Sequence, residues 1–276
     1  MKRYLFYDNM VRSAGLGHTL MTYDSGLAQA IESNQIFLPC LMRFGHNLGQ
    51  SGFMEAGLGL DDCSNVRSLI KKKFPDEIEE VPYDPHTSSD NYSPPAFGNG
   101  RNKFFLSRYN NRKIVGADLL GRGVTNITLS IRRGDIALNY PPNDSFRDRL
   151  SNEEYYRRAL SFVIDSYDLK DFRINIFSDG DAHGNYIDKH GKPTSLTKEF
   201  KKYENCMSFL VGCGTAMDTL TQLQNAIESD IFIGSISGFS QLISLYNRNG
   251  IMVFPRRYKQ RTFGAEDNLV YFDDNS

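Results

Sequence analysis

Three short stretches of this chain combine residue types suited to handling an anion. The first is Ser130-Ile131-Arg132-Arg133-Gly134-Asp135. Guanidinium groups fork onto phosphate oxygens in a bidentate way, so this Arg pair could neutralise a diphosphate leaving group. The same pair could instead bridge to acidic neighbours on a surface. The second is Gly234-Ser235-Ile236-Ser237-Gly238-Phe239-Ser240, a run of small residues ahead of an apolar segment. A helix starting there would offer an anion its first N–H groups and its dipole, although an ordinary Ser-capped turn has the same composition. Phe239 either faces a base or buries into the core. The third is Ala14-Gly15-Leu16-Gly17-His18, where glycine lets a backbone approach a ligand closely. It lacks the third glycine of a dinucleotide fingerprint, which argues against NAD, and the chain has no GxxxxGK[ST], which rules out a P-loop. His18 is either a polar residue opening a helix or a catalytic group.

These stretches need elements to hold them. Residues 124–131 are rich in β-branched side chains and predict a strand that runs into the Arg pair. After a Pro-rich turn, Ser151-Asn152-Glu153-Glu154 reads as a helix start, with Ser151 as cap and Glu154 three residues on. Tyr155, Tyr156, Ala159, Leu160, Val163 and Ile164 continue that helix. Further strands are predicted over 172–177, 207–211, 230–233 and 251–255, with Ser178 at the end of the first. Helices are predicted over 195–203, along Met217, Leu220, Leu223 and Ile227, and over 241–246. Such alternation predicts a parallel, doubly wound sheet, whose ligands sit outside the carboxyl ends of the strands. Both the Arg pair and the serine turn fall at such ends.

The N-terminal half opens on a second βαβ unit: a strand over 4–7, the Gly15 turn, a helix to about residue 31, and a strand over 35–39. Residues 82–102 contain four prolines among many Asn, Ser and Gly, and predict a long loop or lid. No motif is recognisable between 40 and 122. The domain change is placed near 110–123, giving an N-terminal domain over 1–122 and a C-terminal domain over 123–276.

Composition narrows the function classes. The 276 residues carry 32 Lys plus Arg against 33 Asp plus Glu, so no global field exists for gripping nucleic acid or an anionic membrane. The four cysteines, Cys40, Cys63, Cys206 and Cys213, form no CxxC pair and read as core thiols. The start of the chain lacks the apolar stretch of a signal peptide, and no run approaches a membrane span. A soluble, cytoplasmic protein is expected, with no nucleic-acid partner.

Taken together, the three stretches resemble the motifs of the fucosyltransferase superfamily, which includes α-1,2-, α-1,6- and protein O-fucosyltransferases. Arg132-Arg133-Gly134-Asp135 resembles its HxRRGD motif, with Ser130 where that family carries His. Asp218 with the following leucines, and the turn Ser237-Gly238-Phe239-Ser240, are similar to its second and third motifs. Ala14-Gly15-Leu16-Gly17 looks like its GGLGNQ-type turn, with His18 in place of Asn. The resemblance implies a GT-B fold, two facing Rossmann-like domains with the nucleotide sugar held by the C-terminal one. It implies an inverting transfer to a glycan or glycoprotein hydroxyl, with no metal and no cofactor. By analogy Arg132 contacts the diphosphate, Ser237 to Ser240 supply donors, and Asp218 lies near the base. Gly15, Leu16, Gly17, Ser130, Asp135 and Ser178 complete the implied donor site. GDP-fucose is the favoured donor; the change at Ser130 keeps a uridine donor such as UDP-xylose open. His18, Asp8, Asp24 and Glu55 are candidates for the general base.

Two readings compete. Asp179-Gly180-Asp181 is a DxD triplet after a strand, where metal-dependent glycosyltransferases hold a divalent ion, and it is also a common turn sequence. A non-catalytic protein that binds nucleotide sugars would keep the same fold and motifs.

Overall fold

The computed structural model describes residues 2–6, 16–38, 52–61, 63–76, 78–82, 101–133, 136, 140–141, 144–145, 150–179, 185–187, 192–211, 215–246, 250–257 and 268–273. The chain divides into two compact units, Met1–Val115 and Gly116–Ser276. Each contains a parallel sheet, as the strand–helix alternation requires.

In the first unit, β1 (Lys2–Phe6), α1 (Leu16–Glu32) and β2 (Ile36–Leu38) form a parallel βαβ turn. α2 (Phe53–Leu58), α3 (Cys63–Lys73), β3 (Ile78–Pro82) and α4 (Arg101–Asn110) follow. β3 pairs with the other edge of β1, so the order is β2-β1-β3. α1 buries Leu20, Tyr23, Ala28 and Ala30 on one side. Tyr23 meets Phe37 edge-to-face at 4.9 Å, a ring pairing that fixes the helix against β2.

The second unit carries β4 (Thr125–Ile131), α5 (Glu153–Ser166), β5 (Phe172–Ser178), the antiparallel pair β6 (Asn185–Ile187) and β7 (Pro193–Ser195), and α6 (Leu196–Glu199). β8 (Met207–Val211), α7 (Ala216–Glu228), β9 (Ile231–Ile233), α8 (Gly238–Tyr246), β10 (Ile251–Pro255) and β11 (Leu269–Phe272) complete it. Six strands make one sheet in the order β11-β10-β9-β4-β5-β8, parallel throughout. Numbered from β4, this is the order 3-2-1-4-5-6 of the doubly wound fold, and its topological switch point lies between β4 and β9.

Side-chain alternation explains how the layers form. Ile127, Leu129, Ile131, Ile174, Ile176, Ile231, Ile233 and Val253 face one way, against Tyr155, Tyr156, Ala159, Leu160 and Val163 of α5. Each such fully buried aliphatic side chain contributes about 1.5–3 kcal/mol over leaving it in water. The opposite face presents Asn126, Thr128, Ser130 and Asn175 beside Phe232 and Phe254, all buried. α7 meets it with buried Thr221, Gln222, Gln224 and Asn225.

Several local expectations are corrected. Asn152 caps α5, accepting the Tyr155 N–H at 2.7 Å, while Ser151 is buried one residue earlier. The helix expected over 195–203 stops after one turn and gives way to a 3-10 helix, Lys201–Cys206. The cause is Phe200, drawn 99% into the core at φ −113, where the α ladder cannot continue. α8 starts at Gly238, so Gly238, Phe239 and Ser240 are its first turn and Ser237 is its cap. Most of the 82–102 loop lies outside the described residues.

Before β4, residues 116–121 run without regular structure and are clipped to side chains. Gly116, Ala117 and Leu119 donate their N–H groups to Gln224 Oε1, Thr221 Oγ1 and Asn225 Oδ1 of α7. Asn225 returns its amide to the Ala117 carbonyl at 2.7 Å. A Cβ at Gly116 would stand 2.7 Å from the Thr221 backbone, so only glycine fits there.

Candidate functional site

The switch point lies between β4 and β9, the strands that lead into Arg132 and into the serine turn. β4 ends at Ile131, and Arg132 follows on the α7 side if the strand's alternation is continued. β9 ends at Ile233, and Gly234 still donates to Val253 O at 2.8 Å before the serine turn departs. Arg132 therefore stands on one lip of the crevice and Ser235 to Ser240 on the other. In open α/β sheets, ligands bind in the crevice outside the carboxyl ends of the strands, between such lips.

The two arginines have different occupations. Arg133 is 1% exposed. Its guanidinium donates to Arg132 O at 2.6 Å, Ser151 O at 2.8 Å and Glu153 Oε1 at 2.7 Å, and its N–H donates to Asp179 Oδ1. Arg133 thus realises the ion-pair reading of the motif, tying β4, β5 and the start of α5 together. Arg132 is half-buried. Tyr156 lies fully buried under the Arg133 guanidinium, and burial, partly opposed by that cation, pushes its hydroxyl up to about 12. It stays protonated at any working pH.

In the serine turn, Ser235, Ser237 and Ser240 are buried and hydrogen-bond one another. Ser235 Oγ donates to Ser237 Oγ at 3.0 Å, Ser237 Oγ to Ser240 Oγ at 3.1 Å, and Ser240 closes the ring to Ser235 at 3.1 Å. Ser240 N–H is capped by Ser237 Oγ, and the first α-helical bond is Gln241 N–H to Ser237 O. Helix geometry then leaves the amides of Gly238 and Phe239 with no acceptor inside α8. The hydroxyls brace the turn, and main-chain N–H is what it offers an anion.

First-turn charges separate the helix starts at this end of the sheet. α5 carries Glu153 and Glu154 in its first turn and α7 carries Asp218, whereas α8 carries no acid. Acids cancel the positive end of the dipole, so of these three only α8 keeps it for a ligand. α1 of the first unit also has an acid-free first turn, with Leu16 and Gly17 buried.

Asp218 sits at the start of α7, where its Oδ2 accepts the Thr215 hydroxyl at 2.6 Å. One turn later, Gln222 Nε2 reaches Ser178 O at the last residue of β5, at 3.5 Å. With about 1.5 Å of rise per residue, Asp218 stands roughly 6 Å beyond that strand end, on the carboxyl side of the sheet. Ser130 and Ser178 are both buried at their strand ends. Asp179 is exposed and already serves the Arg133 N–H. Gly15, Asp135, Asp8 and Asp181 lie outside the described residues, as does the side chain of His18.

Of the other base candidates, Glu55 is 4% exposed and accepts the Gly52 N–H at 2.6 Å through Oε2, and burial raises its pKa. Asp24 is 1% exposed within α1. Sequence reasoning did not single out Tyr155, Glu153 or Thr215. Their role comes from where their polar tips end, which side-chain type and periodicity do not reveal.

No helix among the described residues is long and apolar enough to cross a membrane. No family model matches the chain, and no curated protein matches it in sequence. Among solved structures, POFUT1 in complex with GDP is 12% identical, covers 92% of this chain and 98% of its own, and has a TM-score of 0.42. POFUT1 in complex with GDP-fucose shows the same identity and coverage with a TM-score of 0.43. E. coli ADP-heptose LPS heptosyltransferase II is 10% identical over 99% of this chain and 90% of its own, with a TM-score of 0.42. At these TM-scores, the function has to stand on the chain's own residues.

Proposed function

We propose that the chain is a glycosyltransferase of GT-B architecture that takes its sugar from a nucleoside diphosphate donor held by the second unit. One observation carries this reading. The switch point of a 3-2-1-4-5-6 sheet has a half-buried arginine on one lip and an acid-free, glycine-started helix on the other. Opposed guanidinium and amide donors suit a diphosphate whose charge grows as the sugar leaves. The motif resemblance names the same residues from a separate line of reasoning.

In the proposed inverting step, the acceptor hydroxyl attacks the anomeric carbon from the face opposite the diphosphate. The bond from that carbon to the diphosphate oxygen breaks, and its electron pair stays on the departing nucleotide. Arg132 and the amides of Gly238 and Phe239 stabilise that oxygen's charge. The candidates for the base that takes the acceptor proton are His18, Asp8, Asp24 and Glu55. Asp218 is assigned to the base of the donor. Guanine offers adjacent N1–H and N2 donors to a carboxylate, whereas uracil flanks its one N–H with carbonyls. The base pairing favours GDP over UDP, and the motif resemblance implies fucose as the sugar and a glycan hydroxyl as the acceptor.

Thermal melts with GDP and UDP at equal concentration test both levels. GDP should raise the melting temperature more than UDP by ligand linkage. A larger shift with UDP removes Asp218 as a guanine reader and moves the donor to the uridine class. No shift with any nucleoside diphosphate, and no donor hydrolysis, overturns the reading as a whole.

A further inference from the structure

The serine turn is held from behind by a residue of another element. Tyr155, in the first turn of α5, is 1% exposed, and its hydroxyl donates to Gly234 O at 3.0 Å, with Val253 O at 3.4 Å. Gly234 is the last ladder residue before the turn, and its carbonyl belongs to the Gly234–Ser235 peptide. The N–H of that same peptide donates to Ser240 Oγ at 3.0 Å. A planar peptide turns as one body, so a donor fixing its carbonyl also fixes its N–H. Phe254 and Phe232 close the other side, since a Cβ on Gly234 would lie 2.6 Å from the Phe254 ring. The plane of this peptide is therefore held by Tyr155 on its carbonyl and by Ser240 on its N–H.

We infer that Tyr155 is a positioning residue for anion binding: it orients the Gly234–Ser235 peptide, and through Ser240 it aims the Gly238 and Phe239 amides. The chain of bonds is continuous. Tyr155 Oη donates to the Gly234 carbonyl, the Ser235 N–H donates to Ser240 Oγ, and Ser240 completes the hydroxyl ring whose Ser237 member caps α8. Donation to a carbonyl polarises its peptide and strengthens the opposite N–H as a donor, so the links reinforce one another. The start of α5 serves the other lip as well, because Arg133 joins Arg132 O to Ser151 O and Glu153. One helix turn thus sets the position of both lips. The inference rests on the proposed donor site and deepens it.

The test compares ligands that differ only in their phosphates. Titration calorimetry measures GDP and guanosine binding to the intact chain and to Tyr155→Phe, which keeps the ring and removes the donor. GDP affinity should fall about tenfold while guanosine affinity stays within about twofold. Donor hydrolysis should lose kcat along with GDP affinity. A residue that only supports the core would lower the melting temperature and weaken both ligands alike, and that result overturns the inference. If Tyr155→Phe does not fold, 3-fluorotyrosine at position 155 decides. Its ring fluorine withdraws electrons and strengthens the hydroxyl as a donor at little added volume, and GDP should then bind tighter with guanosine unchanged; an unchanged ratio overturns the inference. Should the unaltered protein bind guanosine but not prefer GDP, the diphosphate reading itself falls and takes this one with it. A normal GDP preference that survives Tyr155→Phe removes only the role of Tyr155.

Discussion

Arg133→Ala separates the two members of the Arg pair. The Arg133 side chain is wholly buried and its ion-pair partner Glu153 is 14% exposed. Truncation leaves that carboxylate without its cation and strips a donor from the carbonyls of Arg132 and Ser151. Breaking a buried pair from one side costs about 3–5 kcal/mol, and the residual exposure of Glu153 places this case near 3. For a unit the size of Gly116–Ser276, that corresponds to a melting temperature lower by about 6–12 °C. Urea unfolding followed by circular dichroism gives the free energy directly. Adding Glu153→Gln should recover part of the loss, because the stranded charge is then gone. A loss below about 1 kcal/mol with an unchanged m-value would refute the assignment of Arg133 as the brace of this corner.

The neighbouring position should behave in the opposite way. Arg132→Ala should leave unfolding within about 1 kcal/mol of the parent and cost about 3 kcal/mol in kcat/KM for donor turnover, with little recovery in Arg132→Lys. Near-parental turnover in the alanine variant would remove Arg132 from the site. A chelator should leave initial rates within about twofold, since cationic and N–H groups do the charge work; abolition with rescue by Mn²⁺ would transfer the chemistry to the Asp179 triplet. Glu55 is an acid whose folded pKa lies above its ordinary 4.5 because of burial. Above 4.5 the folded state therefore holds more protons than the unfolded one, and stability falls as pH rises through that window. Glu55→Gln keeps an acceptor for the Gly52 N–H and removes the charge, so its stability relative to the parent should climb from pH 4 to pH 7. A flat difference across that range would be incompatible with a buried carboxylate.

The sheet of the second unit was legible because its strands are short β-branched or apolar runs at regular spacing, and β4 and β10 start and end within a residue of expectation. The edge strand β11 was not seen, since Leu269–Phe272 follows a long polar stretch with no helix pattern before it. α7 was visible only through Met217, Leu220, Leu223 and Ile227. Met217 is in fact exposed, and besides Ala226 the helix also buries Thr221, Gln222, Gln224 and Asn225, which read as a solvated face until their backbone partners are known. Asn152 was passed over for Ser151 because both are good caps and only backbone geometry chooses between them. At the site, the motifs pointed to the Arg pair as a unit. That one arginine is structural depends on a twenty-residue connection returning Ser151 and Glu153 to it.

The segment 116–121 bears on how the second unit can be cut free. Connections between compact units are ordinarily the first backbone that a protease opens, because their amides are solvated. Here the exposed-looking stretch is held by Thr221, Gln224 and Asn225, so limited digestion should spare it and attack elsewhere. The same bonds decide where a fragment may begin. One that starts at β4 would remove the backbone groups that meet Thr221 Oγ1, Gln224 Oε1 and Asn225 Oδ1 and would uncover that face of α7. One that starts at Gly116 keeps its own lining. By this measure the six residues ahead of the first strand belong to the fold of the second unit, although no strand or helix runs through them.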